Sequence, residues 1–208
     1  MAEYFDHRGQ IDYSSRRLPH RQQGAVWVFV TWRLADSVPQ SKLARWKEEV
    51  TAWRALHPEP WDDPTAEEYG KRFSASFDAW LDHGFGSCLL RKASNRDIVA
   101  DALHYFDGKR YCLRGFVIMP NHVHVLFSML EGHQLPRKVQ SWKRHSARQI
   151  NTNESRSGNR LWQPDYYDRL IRSELHLSKV VEYIRENPKL LEEGEYTLFE
   201  SEAFRHRG

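Results

Sequence analysis

His122-Val123-His124 opens the run His122 to Leu130 (HVHVLFSML), whose alternation and β-branched content predict a strand. Strand side chains alternate faces, so both imidazoles point one way while Val123 and Val125 point the other, into a core. Two imidazoles placed two apart on a strand can grip one divalent ion, and such a pair also serves as ordinary polar packing. Leu175 to Asn187 predicts a helix that Pro188 ends. On it His176, Val180, Tyr183 and Asn187 share a face that borders the apolar stripe of Leu177, Val181 and Ile184. A tyrosine at that border can project over an adjoining sheet, or simply pack there as a half-buried aromatic. The side-chain carbonyl of Asn187, one turn on, suits Mg²⁺ or Mn²⁺, which favour oxygen and imidazole donors. A phenol of pKa about 10 is a weak nucleophile at neutral pH, so such a tyrosine reacts only with help from a metal or a base. Tyr166 and Tyr167 face opposite ways on one predicted strand, Tyr4 and Tyr13 lie near the N-terminus, and none of these has a metal-capable residue one helical turn away.

The elements that must position these groups follow from pattern. Ala25 to Leu34 (AVWVFVTWRL) predicts a buried strand. Leu43, Trp46, Val50 and Trp53 predict an amphipathic helix that the Pro-rich stretch from His57 to Pro64 stops. Phe73, Phe77, Trp80 and Leu81 suggest a short helix, and Ile98 to Phe106 another, closed at Asp107-Gly108. Tyr111 to Met119 and His122 to Leu130 form two strands about Met119-Pro120-Asn121. A basic helix from Leu135 to Ile150, a strand from Tyr166 to Ile171 and the Tyr183 helix complete the order. That order is the α+β, ferredoxin-like one: an antiparallel sheet with helices on one face and a helical insertion, about 36–93, after the first strand. Residues 1–24 read as a mobile leader, 25–191 as the domain, and 192–208 as a tail.

The 208 residues carry 31 Lys and Arg against 28 Asp and Glu, a charge of +3 that names no partner. With 40% apolar and 13% aromatic residues the chain has material for a core, which excludes the disordered class. Cys88 and Cys112 lack metal or disulfide spacing and read as small buried side chains, in keeping with a reducing compartment. No run of about 18 apolar residues and no signal-peptide core is present, so the expectation is a cytoplasmic protein with no membrane partner.

Met119-Pro120-Asn121-His122-Val123-His124-Val125-Leu126, followed about sixty residues later by Tyr183-Ile184-Arg185-Glu186-Asn187-Pro188, resembles the REP-associated tyrosine transposases, a branch of the single-tyrosine HUH transposases. Ser141-Trp142-Lys143, Leu161-Trp162-Gln163, Tyr167-Asp168, Ile171-Arg172, Thr31-Trp32-Arg33-Leu34 and Leu81-Asp82-His83-Gly84 with Gly86-Ser87-Cys88 fit the same likeness, which spans about 24–191. The resemblance implies the HUH endonuclease fold and a metal-dependent endonuclease and strand transferase acting on single-stranded DNA. It makes His122 and His124 ligands of Mg²⁺ or Mn²⁺, Asn187 the third ligand, and Tyr183 the nucleophile that forms a 5′-phosphotyrosine. The implied substrates are repetitive extragenic palindromes, hairpins with a short guiding tetranucleotide, and the implied location is the nucleoid. Monomeric and homodimeric forms both occur among such enzymes.

Arg137, Ser141, Arg144 and Arg148 share one face of the basic helix, where arginines can pair with phosphates or merely be solvated. Arg33, Lys143, Arg169 and Arg172 would extend that patch, and Trp32, Trp142 and Trp162 can stack on unpaired bases or fill a core. Two other classes fit the residues: a DNA-binding or repressor module without cleavage, and a metal phosphodiesterase that uses water and does not need Tyr183.

Overall fold

The structure, a computed structural model, describes residues 4–6, 8–10, 12–15, 19–58 and 61–202. It separates into two compact units, one of residues 1–35 and 89–208 and one of Asp36–Cys88. In the larger unit the strands β1 (Asp12–Ser15) and β2 (Pro19–Gln22) pair with each other. A five-stranded antiparallel sheet follows, built from β3 (Trp27–Arg33), β4 (Tyr111–Ile118), β5 (His122–Met129), β6 (Tyr167–Leu170) and β7 (Thr197–Glu200) in the order β6-β3-β5-β4-β7. The first four strands of that sheet lie as ferredoxin-like topology requires, the first and third in the centre, and β7 extends the edge beside β4.

The α+β class and the antiparallel sheet are those expected from the sequence, but helices cover both faces rather than one. The smaller unit holds α1 (Gln40–Leu56), α2 (Asp63–Tyr69) and α3 (Ala75–Asp82), and buries Trp46 and Trp53 of α1, Phe73 of the π-helical turn Gly70–Ser74, and Phe77 and Leu81 of α3. In the larger unit α4 (Ala93–His104) and α5 (Leu135–Asn153) bury Val99, Leu103, Val139, Trp142 and Ile150 on one face of the sheet, against Val28, Val30, Trp32, Val123, Val125 and Phe127. The other face carries Trp27, Val117, Met119 and Leu126, covered by Leu177, Val180 and Ile184 of α6 (Glu174–Glu186). Both sides of a sheet whose strands are apolar in both directions must be shielded, and β5, buried at every position, is such a strand. The register of β4 shifts between Leu113 and Gly115, so Leu113 and then Phe116 and Ile118 all reach the same core. One extra residue in a strand reverses the alternation beyond it.

Local chemistry fixes the ends of the elements that matter. Ser173 caps α6, its hydroxyl accepting from the His176 N–H, a contact type worth about 1 kcal/mol. Asn187 ends α6, and Asn187–Leu190 turns as a 3₁₀ helix with Pro188 in its first turn. The β4–β5 hairpin is closed by Met119 N donating to His122 O at 2.9 Å. Within the sequence read as a mobile leader, Phe5 N donates to Ile171 O at 2.8 Å and Gln22 Nε2 to His133 O at 2.7 Å, so these described residues are held. The stretch read as a tail supplies β7, whose Glu200 takes a bidentate ion pair from Arg185 on α6. Among the described residues no helix is long and apolar enough to cross a membrane.

In the smaller unit Asp36 accepts from Ser87 N at 2.8 Å. Gly86, at φ +92°, lies so near Asp36 that a Cβ would meet the Asp36 carbonyl oxygen at 2.5 Å, so only glycine fits where the two ends of this unit touch.

Candidate functional site

Strand register assembles the site. Arg33, Thr31 and Phe29 of β3 stand opposite His122, His124 and Leu126 of β5, and Tyr167 of β6 stands opposite Thr31. All therefore belong to the face that α6 covers. His122 and His124 are 1% and 0% exposed, with ring centroids 4.6 Å apart. Phe29 stacks on His124 at 5.4 Å and meets the Tyr183 ring edge-on at 5.9 Å. The Tyr183 hydroxyl lies 3.4 Å from His124 Nε2, at the long limit of a hydrogen bond.

Each imidazole is held through its Nδ1. His122 Nδ1 is 2.7 Å from Asn121 Oδ1, which only accepts, so that nitrogen carries the proton and Nε2 keeps its lone pair. His124 Nδ1 is 2.7 Å from Thr31 Oγ1, a hydroxyl able to donate or accept. Sequence reading misses both orienting groups. Asn121 sits inside the quoted motif, but Thr31 becomes a partner only once β3 is in register with β5.

Burial drives the His122 imidazole down to about 3, with the nearby Asn187 side chain pulling the other way. His124 is pushed well below its ordinary value by burial and then by the neighbouring His122. Both rings are neutral at pH 7, as ligands must be, and His124 is too weak a base to deprotonate a phenol efficiently. His122 Nε2 and Asn187 Oδ1 are buried with no hydrogen-bond partner, an arrangement that costs roughly 1–3 kcal/mol per group unless something binds there. Two imidazole nitrogens and an amide oxygen on one face suit a divalent ion of the Mg²⁺ or Mn²⁺ type. Among the described residues no three His, Cys, Asp or Glu side chains converge, so an ion here depends on Asn187.

An acid-stability prediction follows. From pH about 6.5 downward the unfolded chain protonates both imidazoles while the folded protein resists until about 3 at His122. Stability that is complete above 6.5 is therefore lost progressively as pH falls through that window. Urea midpoints of the metal-free protein at pH 7.5 and 5 measure it (about 1.4 kcal/mol per pH unit for each imidazole); an unchanged midpoint would refute the buried neutral pair.

The residues proposed for DNA contact separate into three groups. Arg33 and Arg169 share the histidine face, Arg33 5% exposed and Arg169 open to solvent opposite Phe29. Arg172 follows β6, half-buried, with its guanidinium 5.9 Å from the Phe5 ring. Arg137, Arg144 and Arg148 are exposed on α5, which packs on the opposite side of the sheet, so they do not adjoin the site. Trp142 and Lys143 are internal, which corrects their reading as DNA contacts. Trp142 lies 6.0 Å from Trp32 and donates to the Tyr111 hydroxyl. The Lys143 ammonium donates to the carbonyls of Gln163, Pro164 and Asp165 at 2.6, 3.0 and 2.9 Å, and burial lowers it to about 8. Trp32 and Trp162 are 1% and 5% exposed and belong to the core, so neither is a platform for bases. Of the competing tyrosines, Tyr166 is in the core and the Tyr4 hydroxyl donates to Glu174; the Tyr13 side chain lies outside the described residues.

Residues 95–187, which run from α4 to the end of α6 and hold His122, His124, Tyr183 and Asn187, match the family model described as "Transposase IS200 like". Over those residues the chain is similar to the IS200-like transposases. Two solved structures are similar to the chain. One is of a REP-associated tyrosine transposase bound to a REP hairpin, with 14% identity over 85% of this chain and 73% of that one and a TM-score of 0.41. The other is of a candidate transposase from Deinococcus radiodurans R1, with 17% identity over 88% and 97% and a TM-score of 0.33. No curated protein matches.

Proposed function

We propose that this chain is a metal-dependent single-stranded DNA endonuclease and strand transferase of the REP-associated, single-tyrosine kind. The observation that carries the reading is the convergence of the Tyr183 hydroxyl, 3.4 Å from His124 Nε2, with two unpartnered buried ligand atoms, His122 Nε2 and Asn187 Oδ1. His122, His124 and Asn187 hold Mg²⁺ or Mn²⁺. When bound, the ion supplies Lewis-acid polarisation of the scissile phosphate and a field that eases loss of the phenol proton.

Tyr183 Oη attacks the phosphorus, its proton passing to solvent, and the bond from phosphorus to the 3′ oxygen breaks. The downstream 5′ end stays on the protein as a phosphotyrosine while the 3′ oxygen takes up a proton. The ester conserves the bond energy, so a 3′-OH can reverse the step or a second strand can intercept it. Phe29, against both rings, and the α6 contacts of Leu177, Val180 and Ile184 hold the phenol over the histidines. The proposed substrate is a REP-type hairpin, met at the nucleoid in the cytoplasm.

Hairpin oligonucleotides labelled at the 5′ or the 3′ end, incubated with Mg²⁺ or Mn²⁺ and run on denaturing gels, test this. A protein adduct on the 3′-labelled fragment only is the expected result. Cleavage with no adduct would establish the water-using phosphodiesterase instead, and binding without cleavage under either ion the repressor module.

The orienting groups carry a separate prediction. Asn121→Ala and Thr31→Val each free one imidazole to rotate and change tautomer, so each weakens Mn²⁺ binding by about 10–100-fold. Calorimetric titration of Mn²⁺ reads this directly, with hairpin affinity in EDTA unchanged.

A further inference from the structure

We propose that Arg33 is a catalytic residue of the cleavage step, its guanidinium binding a non-bridging oxygen of the scissile phosphate. This rests on the reading of Tyr183 as nucleophile. Arg33 is the last residue of β3 and stands directly opposite His122. In an antiparallel pair such neighbours have Cβ atoms about 4.5–5.5 Å apart, and here they share a face with Thr31 and Phe29, both of which touch His124.

The backbone at this point is pinned from two sides. Arg33 O accepts from Gln163 N at 3.0 Å, and Leu34 N donates to Asn121 O at 2.8 Å, beside the residue that orients His122. The arginine and the histidine pair are thus set by one rigid frame, the condition for preorganised electrostatics.

Charge points the same way. Arg33 and Arg169 both stand on the histidine face. Arg33 is 5% exposed, and burial lowers its guanidinium only to about 10, so it is charged at neutral pH; the Tyr167 hydroxyl on β6 works in the opposite sense. As Tyr183 Oη bonds to phosphorus and the 3′ oxygen departs, negative charge grows on the non-bridging oxygens, and a planar guanidinium matches two of them. Arg33 forms no bond and transfers no proton in this step. It differs from the exposed Arg169, which grips DNA without sensing the change of charge.

The test compares the wild-type protein with Arg33→Ala and Arg33→Met in single-turnover cleavage of a hairpin oligonucleotide. The link at which the wild-type adduct maps carries either a phosphodiester or a methylphosphonate, which lacks one non-bridging negative charge. On the phosphodiester we expect a loss of about 10²–10³-fold in rate with hairpin affinity nearly unchanged, and on the methylphosphonate a loss below about tenfold. Arg33→Lys, with charge but no fork, falls between. Equal losses on both linkages would overturn the proposal and leave Arg33 a structural residue. Arg33→Met keeps most of the side-chain volume, so it carries the comparison if Arg33→Ala fails to fold. If wild-type protein cleaves without an adduct, the tyrosine reading fails. The linkage comparison then still reports whether Arg33 meets the phosphate, but its role in tyrosine attack is refuted.

Discussion

Tyr183→Phe eliminates the covalent protein–DNA adduct and lowers cleavage by at least about 10³-fold, because it removes the attacking atom and little else. The ring that packs edge-on against Phe29 and His124 is retained. The lost hydroxyl contact, at 3.4 Å, is weak, so stability changes by no more than about 1 kcal/mol. Divalent-ion binding is unaffected or slightly improved, since His124 Nε2 no longer has a competing hydroxyl. Adduct on denaturing gels, the thermal midpoint and a Mn²⁺ titration together check the result. Residual adduct in this variant would move the nucleophile elsewhere, first to Tyr167, which lies on the same face opposite Thr31.

His124→Ala removes metal binding and cleavage together while leaving hairpin binding in EDTA within a few-fold of wild type. His124 is fully buried and stacked on Phe29, so truncation also leaves a cavity and costs about 1–3 kcal/mol. Protein at 10 °C stays folded under that loss, and its circular dichroism distinguishes an inactive site from an unfolded chain. Normal cleavage by this variant would refute the assignment of His122, His124 and Asn187 to the ion. The contrast between the two variants is the informative part: one keeps the metal and loses the adduct, the other loses both.

The sequence placed the central elements well where periodicity and stop signals agreed. His122 to Met129, a β-branched and apolar run after the Met119-Pro120-Asn121 turn, is β5; Pro188 and the spacing of Leu177, Val181 and Ile184 point to α6, whose buried residues are Leu177, Val180 and Ile184. Those two elements bring Tyr183 to His124 and are the reason the site was legible. The basic helix was legible as a helix but not as to side. Its period shows which residues share a stripe, whereas the choice of sheet face depends on β3 and β5 pairing, which no single segment encodes. Lys143 and Trp142 were misread for the same reason, since a lysine is internal only if carbonyls such as those of Gln163, Pro164 and Asp165 turn toward it. Thr197–Glu200 was missed because four residues are too few to show alternation, and its pairing with β4 comes from the far end of the chain. The bulge at Arg114 is invisible for a related reason, because only the partner strand reveals the extra residue.

The contact between Asp36 and Ser87, with Gly86 wedged against the Asp36 carbonyl, changes what the helical segment between them means for the chain. Its entry and exit are fastened together, so the polypeptide that leaves β3 and returns toward α4 is spliced across a short gap however many residues lie beyond it. Loop-closure entropy grows only slowly with length, and here the closure is made inside the segment itself. The aromatic unit is thereby insulated: residues can be gained or lost between Asp36 and Ser87 without altering the spacing that Leu34 and Leu90 require.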